Sequence, residues 1–110
     1  MGQEFAQLQE WSEARSLDWY LLERYPEHQQ LNRYYKDLLH FYHDYPALYE
    51  LDNSPEGFAW INGSDAEHNM LTFCRMTKDK KNCLLCHFNF SPVAYENFQS
   101  GVLCPGTYTE

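Results

Sequence analysis

Residues 70–90, Met70-Leu71-Thr72-Phe73-Cys74-Arg75-Met76-Thr77-Lys78-Asp79-Lys80-Lys81-Asn82-Cys83-Leu84-Leu85-Cys86-His87-Phe88-Asn89-Phe90, decide the fold class. An alternating run at 70–75 and the most apolar run of the chain, at 83–90, flank the charged residues 78–82. Two such runs around a short polar tip are typical of an antiparallel hairpin. We therefore predict a hairpin whose second strand lies centrally in a sheet.

Further short runs separated by turn residues lie on both sides of this hairpin. Turn-forming residues occupy 52–57, 62–65 and 91–92. The strand candidates outside the hairpin are 58–61, 95–102 and 107–110. Short strands at this spacing favour an antiparallel β-sandwich. Because the chain stops within the last of these runs, we expect a final strand or hairpin of the sandwich to be missing, which would leave an exposed sheet edge.

The N-terminal part of the chain has a different pattern. Residues 26–45 predict an amphipathic helix that starts at Pro26 and ends before Pro46. Its apolar positions recur at helical spacing and are Leu31, Tyr34, Tyr35, Leu38, Leu39 and Tyr42. Residues 1–25 have no clean period and indicate a strand end, a long loop and one short helical turn. The overall prediction is a mainly β chain with an N-terminal helical arm.

Composition excludes several classes of function. The formal net charge is −8, and an acidic surface of this kind disfavours nucleic acid and anionic membranes as partners. No run is apolar enough for a membrane span, and no signal peptide is visible. The aromatic content of 17% suits a core and also suits sugar binding, where rings stack on pyranose faces.

No metal or cofactor site is predicted. Cys83 and Cys86 have CxxC spacing, but on a strand they point to opposite faces, and no second pair follows at zinc-ribbon spacing. His40 and His43 lack a third ligand nearby. We expect all four cysteines, Cys74, Cys83, Cys86 and Cys104, to be free, partly buried thiols, as in a reducing cytosol.

Four ordered groups of segments resemble the glycogen branching enzymes of glycoside hydrolase family 13. They cover nearly the whole chain, and although each motif is weak alone, the ordered set is specific. The segments are 1–7 with 10–11 and 16–19, then 37–38 with 46–52, then 57–61 with 65–69, and finally 88–93, 95–98, 101–102 and 105–108. Gln3, Ala6, Ser91 and Ala94 depart mildly from the family pattern and leave finer properties, such as chain-length preference, open.

The resemblance implies a domain plan and an activity. Residues 1–46 would be the last strand, loop and helix of a (β/α)₈ barrel, and residues 47–110 most of an alpha-amylase-type C-terminal β-sandwich. Enzymes of this family transfer an α-1,4-glucan segment to a 6-hydroxyl by retaining chemistry that uses Asp and Glu residues. Those residues would lie on earlier barrel strands, so this chain alone should be inactive and serve as a scaffold, and the parent enzyme should be cytoplasmic.

The opening segment would lie at the rim of the active site, because barrel strands carry functional residues at their C-terminal ends. Amides and carboxylates there would bond glucan hydroxyls and indoles would stack on sugar rings. The substrate-cleft candidates are Gln3, Glu4, Gln7, Glu10, Trp11 and Trp19. An equally ordinary role for these side chains is hydrogen bonding and packing within the rim itself.

Three other interpretations stay open. The chain would be an accessory glucan-binding β-module, the end of a related family-13 hydrolase, or an unrelated free-standing protein. Trp11, Trp19 and the tyrosine stripe of the helix argue against the free-standing protein, because they need a partner surface. We therefore expect the isolated chain to self-associate through its barrel-facing groups.

Overall fold

The computed structural model describes all residues from 1 to 110, in two compact units, Met1–Asp44 and Tyr45–Glu110. The first unit contains a 3₁₀ turn at Gln3–Phe5 and two helices, α1 at Tyr20–Arg24 and α2 at Pro26–Asp44. None of the helices has the length and apolar character needed to cross a membrane.

Helix α2 confirms the prediction from helical spacing. Pro26 occupies its first position, where the missing N–H costs nothing, and Glu27 complements the positive end of the helix dipole. No residue of α2 is buried, and Leu39 on its apolar stripe is 67% exposed. Burial within this chain therefore does not account for the stripe.

The strand end expected at the start of the chain is not formed, because Gln3–Phe5 is a 3₁₀ turn. Positive φ angles at Gly2 (88°) and Ala6 (53°) bound this turn on both sides and are incompatible with extended backbone. The short helical turn expected before residue 25 is present as α1.

The second unit is built on a three-stranded antiparallel sheet in the order β1-β2-β3. The strands are β1 at Phe58–Asp65, β2 at Met70–Met76 and β3 at Cys83–Asn89, preceded by 3₁₀ turns at Pro46–Leu48 and Pro55–Gly57. The β2–β3 register is regular from Met70↔Asn89 to Met76↔Cys83, which confirms the predicted hairpin. The mainly β class of this part of the chain is thereby confirmed, and β2 is the central strand rather than β3.

The two faces of the sheet differ in burial. One face of β2 carries Met70, Thr72 and Cys74, all of which are buried. The opposite face carries rings that touch in sequence across the three strands, with centroid separations of 5.0 to 5.9 Å. These rings, which we call the aromatic face, are Phe58, Trp60, Phe73, Phe88 and Phe90. Trp60 and Phe90 are 58% and 59% exposed, so the aromatic face is only partly covered within this chain.

Three strand predictions were wrong. Residues 62–65 continue β1 instead of forming a turn, because register shifts on either side of Asn62 let the bent strand stay paired with β2. Residues 95–102 and 107–110 form no strand. Asn97 has a φ of 57°, which interrupts extended backbone, and the rings of Tyr95 and Phe98 pack on His68 instead.

The expectation of four free thiols was wrong for two of them. Cys74 and Cys83 form a disulfide, whereas Cys86 and Cys104 are free. Cys74 lies diagonally across from Cys83, since Met76 is the direct partner of Cys83, and residues two apart share a face of the sheet. The diagonal neighbour across the hairpin, and not the CxxC spacing, decides which sulfurs meet.

Candidate functional site

The six cleft candidates lie in the opening segment of the first unit. Gln3 and Glu4 belong to the 3₁₀ turn, and Trp19 directly precedes α1. The turn is anchored by Phe5, which is fully buried and stacks on the indole of Trp19 with ring centroids 5.2 Å apart. Trp19 therefore has a packing role, although half of its surface stays exposed.

Gln7 is the centre of the hydrogen bonds in this segment. Its side-chain oxygen accepts from the backbone N–H of Asp18 at 3.1 Å, and its side-chain nitrogen donates to the carbonyl of Gln9 at 2.8 Å. Its backbone N–H donates to the carbonyl of Gly2 at 2.9 Å. Because both ends of the amide are engaged, Gln7 closes the loop and has little capacity left for a sugar hydroxyl.

Helix α2 holds the 3₁₀ turn in place through two backbone carbonyls. The ring Nδ1 of His28 lies 2.6 Å from the oxygen of Phe5, and the amide of Asn32 donates to the oxygen of Glu4 at 3.5 Å. A carbonyl oxygen only accepts, so Nδ1 of His28 carries the hydrogen. The main chain beneath Glu4 is thus fixed while its side chain stays unpaired.

The remaining candidates keep their polar groups or rings available. The carboxylates of Glu4 and Glu10 and the amide of Gln3 make no hydrogen bond within the chain, and Trp11 is 47% exposed. Arg15 braces the loop by donating to the carbonyl of Glu10 and to the side chain of Gln9. The structure therefore divides the six candidates, with Gln7 and Trp19 engaged internally and the other four open to an external partner.

Asp18 was not among the candidates, yet it carries the buried orphan of this segment. Its Oδ2 atom is shielded from solvent and has no hydrogen-bond partner. A buried carboxylate oxygen without a donor is costly, which marks a position that a further group would satisfy. Its place between Leu17 and Trp19 was no signal of burial, since Leu17 is half-buried and Trp19 is half exposed.

A second polar cluster lies on the β-unit around His68. The carboxylate of Asp65 accepts from the backbone N–H of His68 at 3.2 Å and lies 2.7 Å from its ring Nδ1. The side-chain bond from His68 lowers the pKa of Asp65 below its ordinary value. The ring of His68 also contacts Tyr95 and Phe98 edge-on, so this cluster fastens residues 95–98 to the turn after β1.

Arg75 ties the sheet to the segment that leads into it. Its Nη2 atom donates to the carbonyl of Leu48 at 2.9 Å and to the carboxylate of Asp52 at 2.8 Å, and its Nε donates to the carbonyl of Ala47. The Arg75 side chain is only 15% exposed. This is a structural anchor, since every contact of the guanidinium is internal.

The open polar groups of the opening segment are suited to hydrogen bonding with an external partner. No group of three or more His, Cys, Asp or Glu side chains is placed to hold a metal ion. The unpaired carboxylates of Glu4 and Glu10 are accessible to solvent, whereas retaining glycoside chemistry needs two carboxyls about 5 Å apart around an enclosed sugar. Accessible carboxylates and amides of this kind form hydrogen bonds with hydroxyl groups.

Comparison with known proteins gives one family model and many relatives. Residues 60–110 match the alpha amylase C-terminal all-beta domain. The whole chain is similar to proteins named 1,4-alpha-glucan branching enzyme GlgB. It is 46% identical to the protein of Butyrivibrio fibrisolvens, of which it covers 17%. It is 42% identical to those of Shewanella frigidimarina and Thermosynechococcus vestitus, of which it covers 15% and 14%. The chain thus spans about a sixth of the length of the curated relatives it matches.

Proposed function

From the similarity of the whole chain to 1,4-alpha-glucan branching enzymes, we propose that it is the C-terminal part of such an enzyme and supports its catalytic domain. The parent enzyme would cut an α-1,4-glucan, transfer the released segment to a 6-hydroxyl and so create an α-1,6 branch. The chain itself would be inactive and would contribute no nucleophile or general acid. The parent enzyme would act in the cytoplasm on glycogen-type glucans.

The observation that carries this proposal is the similarity of all 110 residues, helical arm included, to branching enzymes. A free-standing β-module would not require the arm. The domain plan that we propose on this basis has residues 1–46 as the last strand, loop and helix of a (β/α)₈ barrel, with the strand forming only beside its barrel neighbours, and 47–110 as the β-sandwich. Helix α2 supports this plan because its stripe residues Tyr34, Leu38 and Leu39 are exposed here, as expected of a helix that packs on barrel neighbours.

The aromatic face would form the seam between the β-domain and a neighbouring domain of the parent enzyme. Its exposed members Trp60, Phe88 and Phe90 are connected through the ring of Phe73, and large apolar patches on a domain usually mark an interface. In the isolated chain the same patch would promote self-association. Light scattering at increasing concentration tests this, and a monomer throughout the range would contradict it.

Within the parent enzyme, Glu4 would contribute to the substrate cleft. Its backbone carbonyl accepts a hydrogen bond from Asn32, whereas its carboxylate is unpaired and can accept hydrogen bonds from a ligand. Gln3, Glu10 and Trp11 would lie at the same rim. Glu4→Gln in the full enzyme should reduce turnover on amylose without changing thermal stability, and unchanged turnover would exclude this role.

The overall function is tested with a chimera. The segment of the Butyrivibrio fibrisolvens enzyme that corresponds to residues 1–110 is replaced by this chain, and branching is followed by the fall in iodine staining of amylose. We expect branching by the chimera and none by the 110-residue chain alone. A chimera that folds but does not branch would contradict the proposal.

An accessory glucan-binding module is the second candidate, and one observation favours it. Trp60 is 58% exposed, and its indole lies close to Gly63, where an added Cβ would be 3.1 Å from the ring. A fixed, exposed indole can stack on a sugar ring. In glycogen affinity electrophoresis this alternative requires that the chain is retarded and that Trp60→Ala abolishes the retardation.

A further inference from the structure

A polar groove of about 500 Å³ runs along helix α2 in the first unit. Leu22 of α1 forms one wall. The α2 side chains that line it are Gln29, Asn32, Arg33, Lys36, Asp37 and His40. They recur at i, i+3, i+4, i+7, i+8 and i+11, so they occupy a single face of the helix. At 1.5 Å per residue the groove follows about 16 Å of the helix axis.

This face is opposite the apolar stripe. At 100° per residue, the stripe residues Leu31, Leu38 and Tyr35 centre on one side of α2, whereas Lys36 and His40 lie about half a turn away. A partner that covers the stripe therefore leaves the groove accessible. The site does not depend on which partner the stripe has.

The polar walls are held in position by bonds to the main chain. The amide nitrogen of Gln29 donates to the carbonyl of Leu22 at 2.7 Å, and that of Asn32 donates to the carbonyl of Glu4. Each amide keeps its side-chain oxygen free to accept. Arg33 and Asp37 lie 3.8 Å apart with 85% and 70% of their side chains exposed. An ion pair this exposed is weak and exchanges readily for contacts with a ligand.

The chemistry of the walls selects the class of ligand. An anion is disfavoured because the chain carries a net charge of −8 and Asp37 stands among the cations of the groove. The walls are also partly apolar, since Leu22 and the methylene stems of Arg33 and Lys36 line the groove, and a sugar presents apolar C–H faces to such surfaces. Amide, guanidinium, carboxylate and imidazole groups together offer paired donors and acceptors, which match the neighbouring hydroxyls of a sugar.

We infer that the polar groove of α2 binds a chain of α-1,4-linked glucose. The length of the groove suits an oligosaccharide better than a single sugar, and the choice of an α-1,4-glucan rests on the proposed function. Binding would hold a glucan on the helical arm and not on the aromatic face of the β-unit.

The test is a titration of the intact 110-residue chain with maltoheptaose, followed by amide chemical shifts and by calorimetry. Shifts should concentrate at residues 22 and 29–40. The double variant Arg33→Ala/His40→Ala should bind about tenfold more weakly or worse, since it removes two hydrogen-bonding groups. Gln30→Ala, on the same helix but outside the groove, is the matched control and should bind like the parent chain. Circular dichroism verifies that each variant keeps its helices.

Each outcome decides the matter. If the Arg33→Ala/His40→Ala variant keeps its affinity for maltoheptaose, or if Trp60→Ala loses it instead, the assignment of glucan binding to the groove is wrong. Equal affinity for a β-1,4-linked oligosaccharide, or preference for inorganic phosphate, would overturn the assigned ligand. If the chain binds maltoheptaose in the groove but its chimera does not branch amylose, the proposed function is wrong and the groove assignment holds. If the chimera branches amylose but the groove does not bind maltoheptaose, the groove assignment is wrong and the proposed function holds.

Discussion

The guanidinium of Arg75 lies 2.8 Å from the carboxylate of Asp52 and donates at the same time to the carbonyl oxygens of Ala47 and Leu48. Two of these acceptors are main-chain carbonyls to which no other side chain donates. Removing the arginine therefore leaves polar atoms unpaired, and this is more costly than losing an ordinary surface ion pair.

Arg75→Ala should lower the free energy of unfolding of the β-unit by about 2–3 kcal/mol, because it leaves two carbonyls and one carboxylate without their donor. Asp52→Asn keeps the main-chain contacts and should cost under about 1 kcal/mol. Urea unfolding followed by the fluorescence of Trp60, in a background where Trp11 and Trp19 are replaced by Phe, measures both. Equal losses would show that the ion pair, and not the carbonyl contacts, is the anchor.

Gly2→Ala should disrupt the opening turn. Gly2 has a φ of 88°, and an added Cβ would be 2.7 Å from Cβ of Gln7, so the substitution is both strained and blocked. We expect a loss of about 2 kcal/mol or more in the first unit and a red-shifted emission of Trp19. Ala6→Gly is the matched control. Ala6 also has positive φ, so glycine there should be neutral or stabilising, and parallel losses in both variants would refute the argument.

Asp18→Asn should stabilise the isolated chain. The buried Oδ2 atom has no donor, and replacing the carboxylate by a neutral amide removes an unpaired charge from a shielded position. The expected gain is about 1 kcal/mol, measured by urea unfolding followed at the helical circular dichroism band. Glu13→Gln, at an exposed carboxylate of the same loop, should change nothing. A marked destabilisation by Asp18→Asn would mean that the carboxylate already has a partner.

Reduction of the Cys74–Cys83 bond should weaken the hairpin. The crosslink closes a short loop in the unfolded chain, and the chain-entropy relation gives about 2.5 kcal/mol for a loop of this length. Peptide mapping with and without reductant identifies the bond, and the thermal midpoint measures its effect. Cys86→Ser and Cys104→Ser replace the free thiols and should leave the response to reductant intact. A midpoint indifferent to reductant would contradict the prediction.

The pair formed by Asp65 and His68 predicts a pH dependence at the acid end. The side-chain bond from His68 lowers the pKa of Asp65 below 3.8 in the folded chain. Its contribution is therefore fully present above the unfolded pKa, near pH 4, and disappears as pH falls through the folded pKa. The difference in thermal midpoint between the parent chain and Asp65→Asn should be constant at neutral pH and should fall towards zero below pH 4. A difference that persists to pH 2 would exclude this linkage.

Helix α2 and the β2–β3 hairpin were predicted correctly because the residue pattern that specifies each of them lies within one short segment. The stripe from Leu31 to Tyr42 predicted α2, and Pro26 and Pro46 predicted its limits. The charged tip at 78–82 predicted the hairpin, because register follows from the turn and the alternation on either side. These are short-range effects, and no distant contact overrides them.

Features that depend on contacts between residues distant in the sequence could not be predicted from such local patterns. The run at 95–102 has the composition of a strand, but it pairs with neither edge strand of the sheet, and Tyr95 and Phe98 pack on His68 instead. The bond between Cys74 and Cys83 depends on hairpin register. At the opening segment, Gln7 had the side chain of a ligand-binding residue, and only the contacts with Asp18 and Gln9 reveal its structural role.

The order β1-β2-β3 has a kinetic consequence. Every strand pairs with its immediate successor along the chain, so the sheet requires only two short loop closures and no distant segment has to arrive first. Chains with such local contacts fold faster than β-proteins of higher contact order. The β-unit should therefore assemble at a rate set by its own two hairpins, and its folding should be largely indifferent to the length of polypeptide attached to it.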